Sequence, residues 1–396
     1  FADIDVAVDE RLGMSTRPVL ICAGGTGGHM FPAVSLANAL VARGHTVLFA
    51  TDPRGAAVPE NVLGLAPGVV RHTISARSLH GGVKGLFQGL TALARGFFEA
   101  RRLVSDERPA IAVGFGGYPC VPPILAAGMA GLPTVIHEQN AVLGRANRRL
   151  ARGASAFALS FAQTQRLKSA GHAKATVVGN PVRAEIAALA ARPYTPPSGV
   201  IDLLVVGGSL GAQVFSKIVP AAFRNLTPAQ RARFRVAQQC RSEDIEEARA
   251  IYAALNMDVD LQTFFDDISA RLAAAHLVVG RAGASTVAEL TAAGRPALYV
   301  PYPFAADDHQ MANARAMEAA DAGWVMAQSE FTPAAMSGWL EGALESSHAL
   351  ARVASAARAL GHPDAAERLA DLVEDLIPVN GNGNGTHPDI IREAAE

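Results

Sequence analysis

The stretch PVLICAGGTGGHMFPAVSLANALVARGHTVLFA, Pro18–Ala50, decides the fold. Pro18–Ala23 is an apolar run of strand character, Phe31–Arg43 carries apolar residues at helical spacing, and His45–Ala50 is a second apolar run. Between the first run and the helix stands Gly24-Gly25-Thr26-Gly27-Gly28-His29. Glycines let a chain leaving a strand turn sharply and come close to a ligand. The helix that follows offers free N–H groups and the positive end of its dipole. The unit reads as strand, phosphate-holding turn, helix and parallel strand.

Three further turns repeat the device: Gly114-Phe115-Gly116-Gly117-Tyr118, Gly207-Gly208-Ser209-Leu210-Gly211-Ala212 and Arg281-Ala282-Gly283-Ala284-Ser285-Thr286. Each follows an apolar run and precedes a helix-like segment. One phosphate site needs one turn, so two turns in each half suggest two ligands meeting between two similar domains. The strand–helix rhythm runs to about Val178, pauses in Gly179-Asn180-Pro181 and the linker-like PYTPPSG of Pro193–Gly199, and restarts at Ile201–Val206. Further strands are expected at Phe234–Gln238, Leu261–Phe265, Leu277–Val279 and Ala297–Val300. The fold class is therefore α/β, with two doubly wound Rossmann-like domains and a cleft beyond the carboxyl ends of their strands. The expected division is 18–178, a linker over 179–200, 201–360, a helix over 361–378 packing back on the first domain, and disordered tails at 1–17 and 379–396.

At 396 residues a two-domain chain is the natural reading. A net charge of −1 and 6% aromatic residues give neither a basic surface nor stacking platforms for nucleic acid. Cys22, Cys120 and Cys240 are widely spaced and read as buried free thiols in a reducing compartment. Residues 1–16 are mixed and acidic, not basic then apolar, so no signal peptide is expected, and the missing initial Met suggests a trimmed end. Ala110–Ile136 carries no charge, but Pro119, Pro122, Pro123 and Pro133 interrupt it. It reads as strand, turn, short helix and strand, not as a membrane span.

A dinucleotide-binding oxidoreductase is the obvious rival, since Asp52 follows the second strand. The glycines do not fit: Gly25-Thr26-Gly27-Gly28-His29-Met30 has Met where the third Gly should stand, and Gly208-Ser209-Leu210-Gly211 is too short. Asp258-Val259-Asp260 has the form of a metal-binding Asp-x-Asp, but it precedes its expected strand instead of following it. No metal is assigned. Thr286-x-x-Glu289 is open to two readings, a capping box or a carboxylate aimed at a vicinal diol. Arg183, after an Asn-Pro turn, reads either as a phosphate ligand or as a surface ion pair. His29 at a helix start is either structural or a general base. Asp308 is expected to cap a helix beginning near His309.

The motifs GGTGGHMFPA (Gly24–Ala33), GFGGYP (Gly114–Pro119), HEQN (His137–Asn140), GNPVR (Gly179–Arg183), GGSLGA (Gly207–Ala212), RAGASTVAEL (Arg281–Leu290) and DDHQ (Asp307–Gln310) stand in the order seen in the MurG family of peptidoglycan glycosyltransferases. The chain resembles that family over about Pro18–Leu376. The resemblance implies a GT-B architecture, with the acceptor side in the N-terminal domain and the nucleotide sugar held mainly by the C-terminal one. It implies inverting transfer of N-acetylglucosamine from UDP-N-acetylglucosamine (UDP-GlcNAc) to the 4-hydroxyl of N-acetylmuramic acid in lipid I. The product is lipid II, and neither a covalent intermediate nor a cofactor takes part. The implied setting is peripheral, on the cytoplasmic face of the bacterial inner membrane. Implied partners are UDP-GlcNAc, lipid I, the anionic membrane surface and other proteins of cell-wall synthesis and division. A related glycosyltransferase with another acceptor and a noncatalytic nucleotide-sugar-binding protein stay open. Gly24–His29 together with Asn140 favours catalysis.

Carried onto this sequence, the resemblance implies His29 as general base, with Glu138 and His137 as competitors. It implies donor contacts from Thr26, Gly27, Gly28, Asn140, Arg183, Ser209, the backbone of Phe265, the turn and helix start Ala284, Ser285, Thr286, Val287 and Ala288, the ribose ligand Glu289, and Gln310. Gly116, Gly117, Tyr118 and His137 fall on the acceptor side. Ser78–Arg102 interleaves apolar anchors with cations, which reads either as a membrane-facing segment or as a packed helix with a basic edge. Its part Leu79, Val83, Lys84, Leu86 and Phe87 resembles the family's membrane patch.

Overall fold

The computed structural model describes residues 17–378 apart from Thr26, 78–81 and 209–210, and of 82–86 only the backbone. The expectations for Thr26, Leu79, Ser209 and the terminal tails, and for the side chains of Val83, Lys84 and Leu86, lie outside the described residues. Strands β1 (Val19–Ala23), β2 (Val47–Thr51), β3 (Val70–Thr73), β4 (Ile111–Gly114), β5 (Thr134–Glu138), β6 (Ala156–Leu159) and β7 (Ala175–Val177) form a sheet in the order β3-β2-β1-β4-β5-β6-β7. Strands β8 (Ile201–Val206), β9 (Phe234–Gln239), β10 (Val259–Gln262), β11 (Leu277–Gly280), β12 (Ala297–Tyr299) and β13 (Trp324–Val325) form a second, ordered β10-β9-β8-β11-β12-β13. Every pairing within both is parallel. These are two doubly wound sheets, and in each the strand order reverses once, between β1 and β4 and between β8 and β11.

Burial explains the strand sequences. VLICA of β1 and VLFAT of β2 are covered on both faces, so they are continuous apolar runs without alternation. One face of the first sheet packs on the Gly27–Ala42 helix through Leu36 and Leu40, and the other packs on Ala100, Leu103 and Val104 of the Gly82–Glu107 helix. Gly96 sits where that second helix meets the backbone, since a Cβ there would lie 1.9 Å from the Ser75 carbonyl oxygen. Cys22, Cys120 and Cys240 are buried and free.

Two sequence expectations are corrected. The strand expected at Leu261–Phe265 is Val259–Gln262, because Val259 and Leu261 pack toward the core while Asp260 and Gln262 face outward from an edge strand. Phe264 and Phe265 thereby fall beyond its carboxyl end. Asp258-Val259-Asp260 consequently overlaps the strand, and Asp260 pairs with Arg271 at 2.6 Å. Asp52 does follow β2, but its carboxylate accepts the Gly55 N–H at 3.1 Å and pairs with Arg54 at 2.8 Å. A Cβ on Gly25 would stand 2.2 Å from that carboxylate, so the acid braces the first glycine turn and is not open to a ribose.

The Ala365–Asp375 helix lies on the Gly27–Ala42 helix, with Leu369, Ala370 and Val373 completing the core of the first sheet. At the rim, Arg43 pairs with Asp371 and Glu374 at 2.7 Å each, and His45 meets Glu374 at 2.8 Å. Leu369→Ala should lower the stability of the N-terminal domain by about 2–5 kcal/mol, as for other buried Leu truncations. Urea unfolding followed by a probe in that domain measures this; an unchanged midpoint would show that the helix is no part of its core.

Candidate active site

The two reversals in strand order leave a gap at the carboxyl end of each sheet, and the four glycine turns fill the loops that flank those gaps, after β1, β4, β8 and β11. The gaps face one another across a cavity of about 1600 Å³. Gly27, Gly28, Gly116 and Gly117 line one wall, and Gly207, Gly208 and Gly283–Thr286 line the other.

On the first wall, His29 lies three residues into the Gly27–Ala42 helix, against the turn after β4. Gly116 and Gly117 have φ of 89° and 75°, and a Cβ on them would lie 3.3 Å and 3.4 Å from the imidazole carbons. A side chain at either position would crowd the ring, and the positive φ favours glycine at both. His29 Nδ1 meets Gln139 Oε1 at 3.2 Å, while its Nε2 has no partner among the described residues. Burial lowers the His29 pKa below its usual value, against the Gln139 and Phe115 hydrogen bonds, and His309 across the cleft adds to the lowering. The positive end of the helix acts in the same direction. The side chain is therefore a neutral imidazole at neutral pH, as a proton acceptor must be.

The two competitors for the base role are enclosed. His137 is fully buried and outside the cavity lining, with Nε2 donating to the Gly179 carbonyl at 2.9 Å and Nδ1 accepting from Gln139 Nε2 at 3.0 Å. Burial, with some opposition from that carbonyl, pushes its pKa down to about 4. The expectation that it meets the acceptor is corrected: it sits behind Gln139. Glu138 is 1% exposed, and its carboxylate accepts from the Asn140 and Gly144 backbone N–H groups at 3.1 and 2.8 Å and from Asn147 Nδ2 at 2.8 Å. Burial raises its pKa and those bonds hold it back. Its geometry is that of a clamp on the loop after β5. Tyr118 lines the cavity beside Gly117.

On the opposite wall, the Ala284–Ala293 helix starts from Gly283 with no side-chain cap. Thr286 is therefore inside the helix, and the capping-box alternative for Glu289 is excluded. Glu289 faces the cavity and pairs with Arg183 at 3.3 Å. Burial raises its pKa, and Arg183 opposes this. Arg183 also stacks 5.6 Å from the centre of the Phe31 ring. Its buried Nε and the buried Ser285 hydroxyl have no partner, although burying polar groups unpaired is costly. Both line the same cavity, beside the free N–H groups of Ala284, Ser285 and Thr286. The expectation for Val287 and Ala288 is corrected: Val287 points into the core, Ala288 packs partly against it, the Val287 N–H is bonded to the Gly283 carbonyl at 3.0 Å, and neither residue lines the cavity. Gln310 Oε1 accepts the Tyr302 N–H at 2.9 Å, which leaves its amide N–H groups to the cavity. Phe265 is buried under the Arg271 guanidinium at 4.0 Å, at the cavity edge. Asp308 was expected to cap the His309–Ala319 helix; it stands at the N-cap position with φ of 55° and makes no cap bond.

Several residues that bind the walls together were not singled out in the sequence. Asn313, fully buried, accepts the Ala141 N–H at 2.8 Å and donates to Asn140 Oδ1 at 3.1 Å and the Ala282 carbonyl at 3.0 Å. Asn140, expected at the donor sugar, is thus held by a residue of the other domain. Asp307 reaches across to Arg145, Arg148 and Arg166 at 3.2, 2.8 and 2.8 Å, and these guanidinium groups hold its carboxyl far below the usual range. The available signals were position alone: Asn313 lies one helical turn beyond Gln310, and Asp307 opens the motif DDHQ.

Residues 19–159 match the model of the glycosyltransferase family 28 N-terminal domain, and residues 202–369 that of its C-terminal domain. A UDP-N-acetylglucosamine–N-acetylmuramyl-(pentapeptide) pyrophosphoryl-undecaprenol N-acetylglucosamine transferase of Rhodospirillum centenum is 49% identical over 97% of this chain and 100% of its own length. The enzyme of that name from Paramagnetospirillum magneticum is 48% identical over 92% of this chain and 99% of its own. The crystal structure of Acinetobacter baumannii MurG superposes with a TM-score of 0.73 at 30% identity, covering 91% of this chain and 99% of that one. The chain belongs to the MurG family of glycosyltransferases. It has the GT-B fold of that family and is a hexosyltransferase. A UDP-GlcNAc 2-epimerase from Neisseria meningitidis, at 12% identity and a TM-score of 0.65, shares the fold alone.

Because Glu289 caps nothing, Glu289→Gln should leave the melting temperature almost unchanged. It should raise the KM for the nucleotide-sugar donor by on the order of tenfold, about 1.4 kcal/mol. Steady-state kinetics with a thermal melt decide this, and an unchanged KM with lost stability would return Glu289 to a structural role.

Proposed function

We propose that this protein transfers N-acetylglucosamine from UDP-GlcNAc to the 4-hydroxyl of N-acetylmuramic acid in lipid I, giving lipid II. The observation that carries the reading is the pairing of walls. A neutral imidazole with one open nitrogen stands on one side, and an uncapped helix N-terminus with Arg183, Ser285 and Glu289 stands on the other. The acceptor hydroxyl gives its proton to His29 Nε2 as its oxygen bonds to the anomeric carbon, and the bond from that carbon to the diphosphate oxygen breaks with its electron pair leaving on UDP. The developing negative charge meets backbone N–H groups, the helix dipole and the Arg183 guanidinium, all fixed before the reaction. Glu289 takes the ribose diol, the Phe265 backbone the uracil, and Gln310 the sugar. Gly116, Gly117 and Tyr118 border the acceptor.

Incubation with labelled UDP-GlcNAc and a short-chain lipid I analogue should give one equivalent of UDP per disaccharide product. Binding of UDP-GlcNAc without transfer would mean a noncatalytic binder. In the same assay His29→Ala should lower kcat by about 10²- to 10⁴-fold with UDP affinity preserved. The parent's rate should fall on acidification along a limb lying below the ordinary histidine value of about 6.5, because the His29 pKa is lowered. A variant within about threefold of the parent, with the same acid limb, would place the base elsewhere.

We also propose that the protein works at the cytoplasmic face of the inner membrane, docked through the Gly82–Glu107 helix. Among the described residues no helix is long and apolar enough to cross a membrane. That helix packs inward through Ala100, Leu103 and Val104, while Phe87, Leu90 and Phe98 stay exposed at 69%, 52% and 67% on its outer face, among Arg95, Arg101 and Arg102. Apolar anchors between cations suit an anionic bilayer. The double substitution Phe87→Asp with Leu90→Asp should weaken binding to anionic phospholipid vesicles by tenfold or more, at roughly 1.5–3 kcal/mol per buried side chain. Turnover of a water-soluble acceptor should be unaffected. Vesicle binding equal to the parent's would leave that face a solvated helix edge.

A further inference from the structure

The open nitrogen of His29 depends on a chain of hydrogen bonds that begins far from the cavity. The Gly179 carbonyl can only accept, so His137 Nε2, 2.9 Å away, carries a hydrogen. A neutral imidazole holds one N–H, and His137 Nδ1 is therefore an acceptor. Gln139 Nε2 lies 3.0 Å from that Nδ1 and 2.9 Å from the Phe115 carbonyl, and both positions demand a donor. The amide of Gln139 is thus fixed, and the oxygen it turns toward His29, at 3.2 Å, can only accept. His29 must then carry its hydrogen on Nδ1, with the lone pair on Nε2. A free histidine side chain prefers the opposite tautomer, so some neighbour has to impose this one.

We infer that Gln139 is the positioning residue of the transfer reaction: its amide, oriented by His137 and the Phe115 carbonyl, holds His29 in the Nδ1–H tautomer with Nε2 facing the acceptor hydroxyl. The inference rests on the reading of His29 as general base. Gln139 touches neither substrate in this account; it acts through His29. It is 2% exposed, and every polar atom of its side chain is used within the protein. The far end of the chain is held as firmly, since Gly179 has a φ of 88° and a Cβ there would lie 2.3 Å from His362 Cβ. The network also explains why the residue is an amide. A carboxylate would face the Phe115 carbonyl and His137 Nδ1 with acceptor against acceptor, and a hydrocarbon would leave the buried His137 Nδ1 without its donor and His29 Nδ1 without its amide acceptor.

The first test needs no variant. Histidine ¹⁵N labelling of the whole protein, with His29 assigned by the signal lost in His29→Ala, should show neutral His29 as the Nδ1–H form. A dominant Nε2–H form would overturn the inference. Gln139→Leu should let the Nε2–H form appear and lower kcat by about 10- to 10²-fold, less than loss of the base itself, with UDP binding retained as the check on folding. Gln139→Glu places a carboxylate beside Nδ1 and should move the acid limb of the kcat profile to higher pH by one unit or more. A residue that merely filled space would change stability and leave tautomer and limb where they were. If His29→Ala retained full kcat, the base assignment would fail, and the ¹⁵N spectra would still report whether Gln139 sets the His29 tautomer.

Discussion

In a parallel sheet every loop that follows a strand leaves from the same end, and where the strand order reverses two neighbouring loops depart to opposite faces. Nothing fills the gap between them unless a ligand does. Here that constraint acts twice, between β1 and β4 and between β8 and β11, and the two gaps are turned toward each other across one cavity. The glycine turns follow from it. A loop beside such a gap has to bring its backbone to the ligand, and the side chains it lacks make room for others. Gly25 leaves space for Asp52, and Gly116 and Gly117 leave space for the ring of His29.

The polar interior between the gaps is costly to bury and is therefore almost completely paired. Glu138 shows the logic: a fully desolvated carboxylate persists because backbone N–H groups and Asn147 saturate it, and in return it fixes the loop that carries Gln139 and Asn140. Among the buried unpaired atoms, the Ser285 hydroxyl, the Arg183 Nε and the Asn147 Oδ1 belong to residues that line the cavity. On the C-terminal wall the Ser285 hydroxyl stands beside the uncapped start of the Ala284–Ala293 helix, a pairing of free donors that suits a polar ligand.

Much of this was legible in the sequence, because fully buried strands followed by glycine turns leave a strong local signal. Ile201–Val206 was read with its observed bounds, and the Ala110–Ile136 stretch was correctly broken into strand, turn, helix and strand. The edge strand β10 was misplaced, since Phe264 and Phe265 look like strand residues but leave the sheet to reach the ligand side. The alternatives for Glu289 could be separated only by where the helix begins, which is fixed by Gly283 and not by Thr286. Residues whose partners are distant in the chain were not legible at all. Asn313 meets residues near 140, and Asp307 meets three arginines of the other domain, pairings that no local spacing encodes.

Those long-range pairs set how the two walls meet. The proposed proton acceptor, His29, sits on the N-terminal wall and the proposed phosphate-holding helix start on the C-terminal wall, so on that reading neither domain alone assembles the reacting atoms. Three kinds of bond draw the walls together. Asp307 is an ion pair set among partly exposed arginines, Asn313 is a buried amide bridging two loops, and the Ser35 hydroxyl donates to the Val182 carbonyl. The first depends on salt and the second on hydrogen-bond geometry, so the two hold the walls in register by different means. His309 of the facing wall lowers the basicity of the His29 imidazole less than burial does. The basicity of that imidazole is therefore set mainly by its enclosure against Gly116, Gly117 and Gln139 of its own domain.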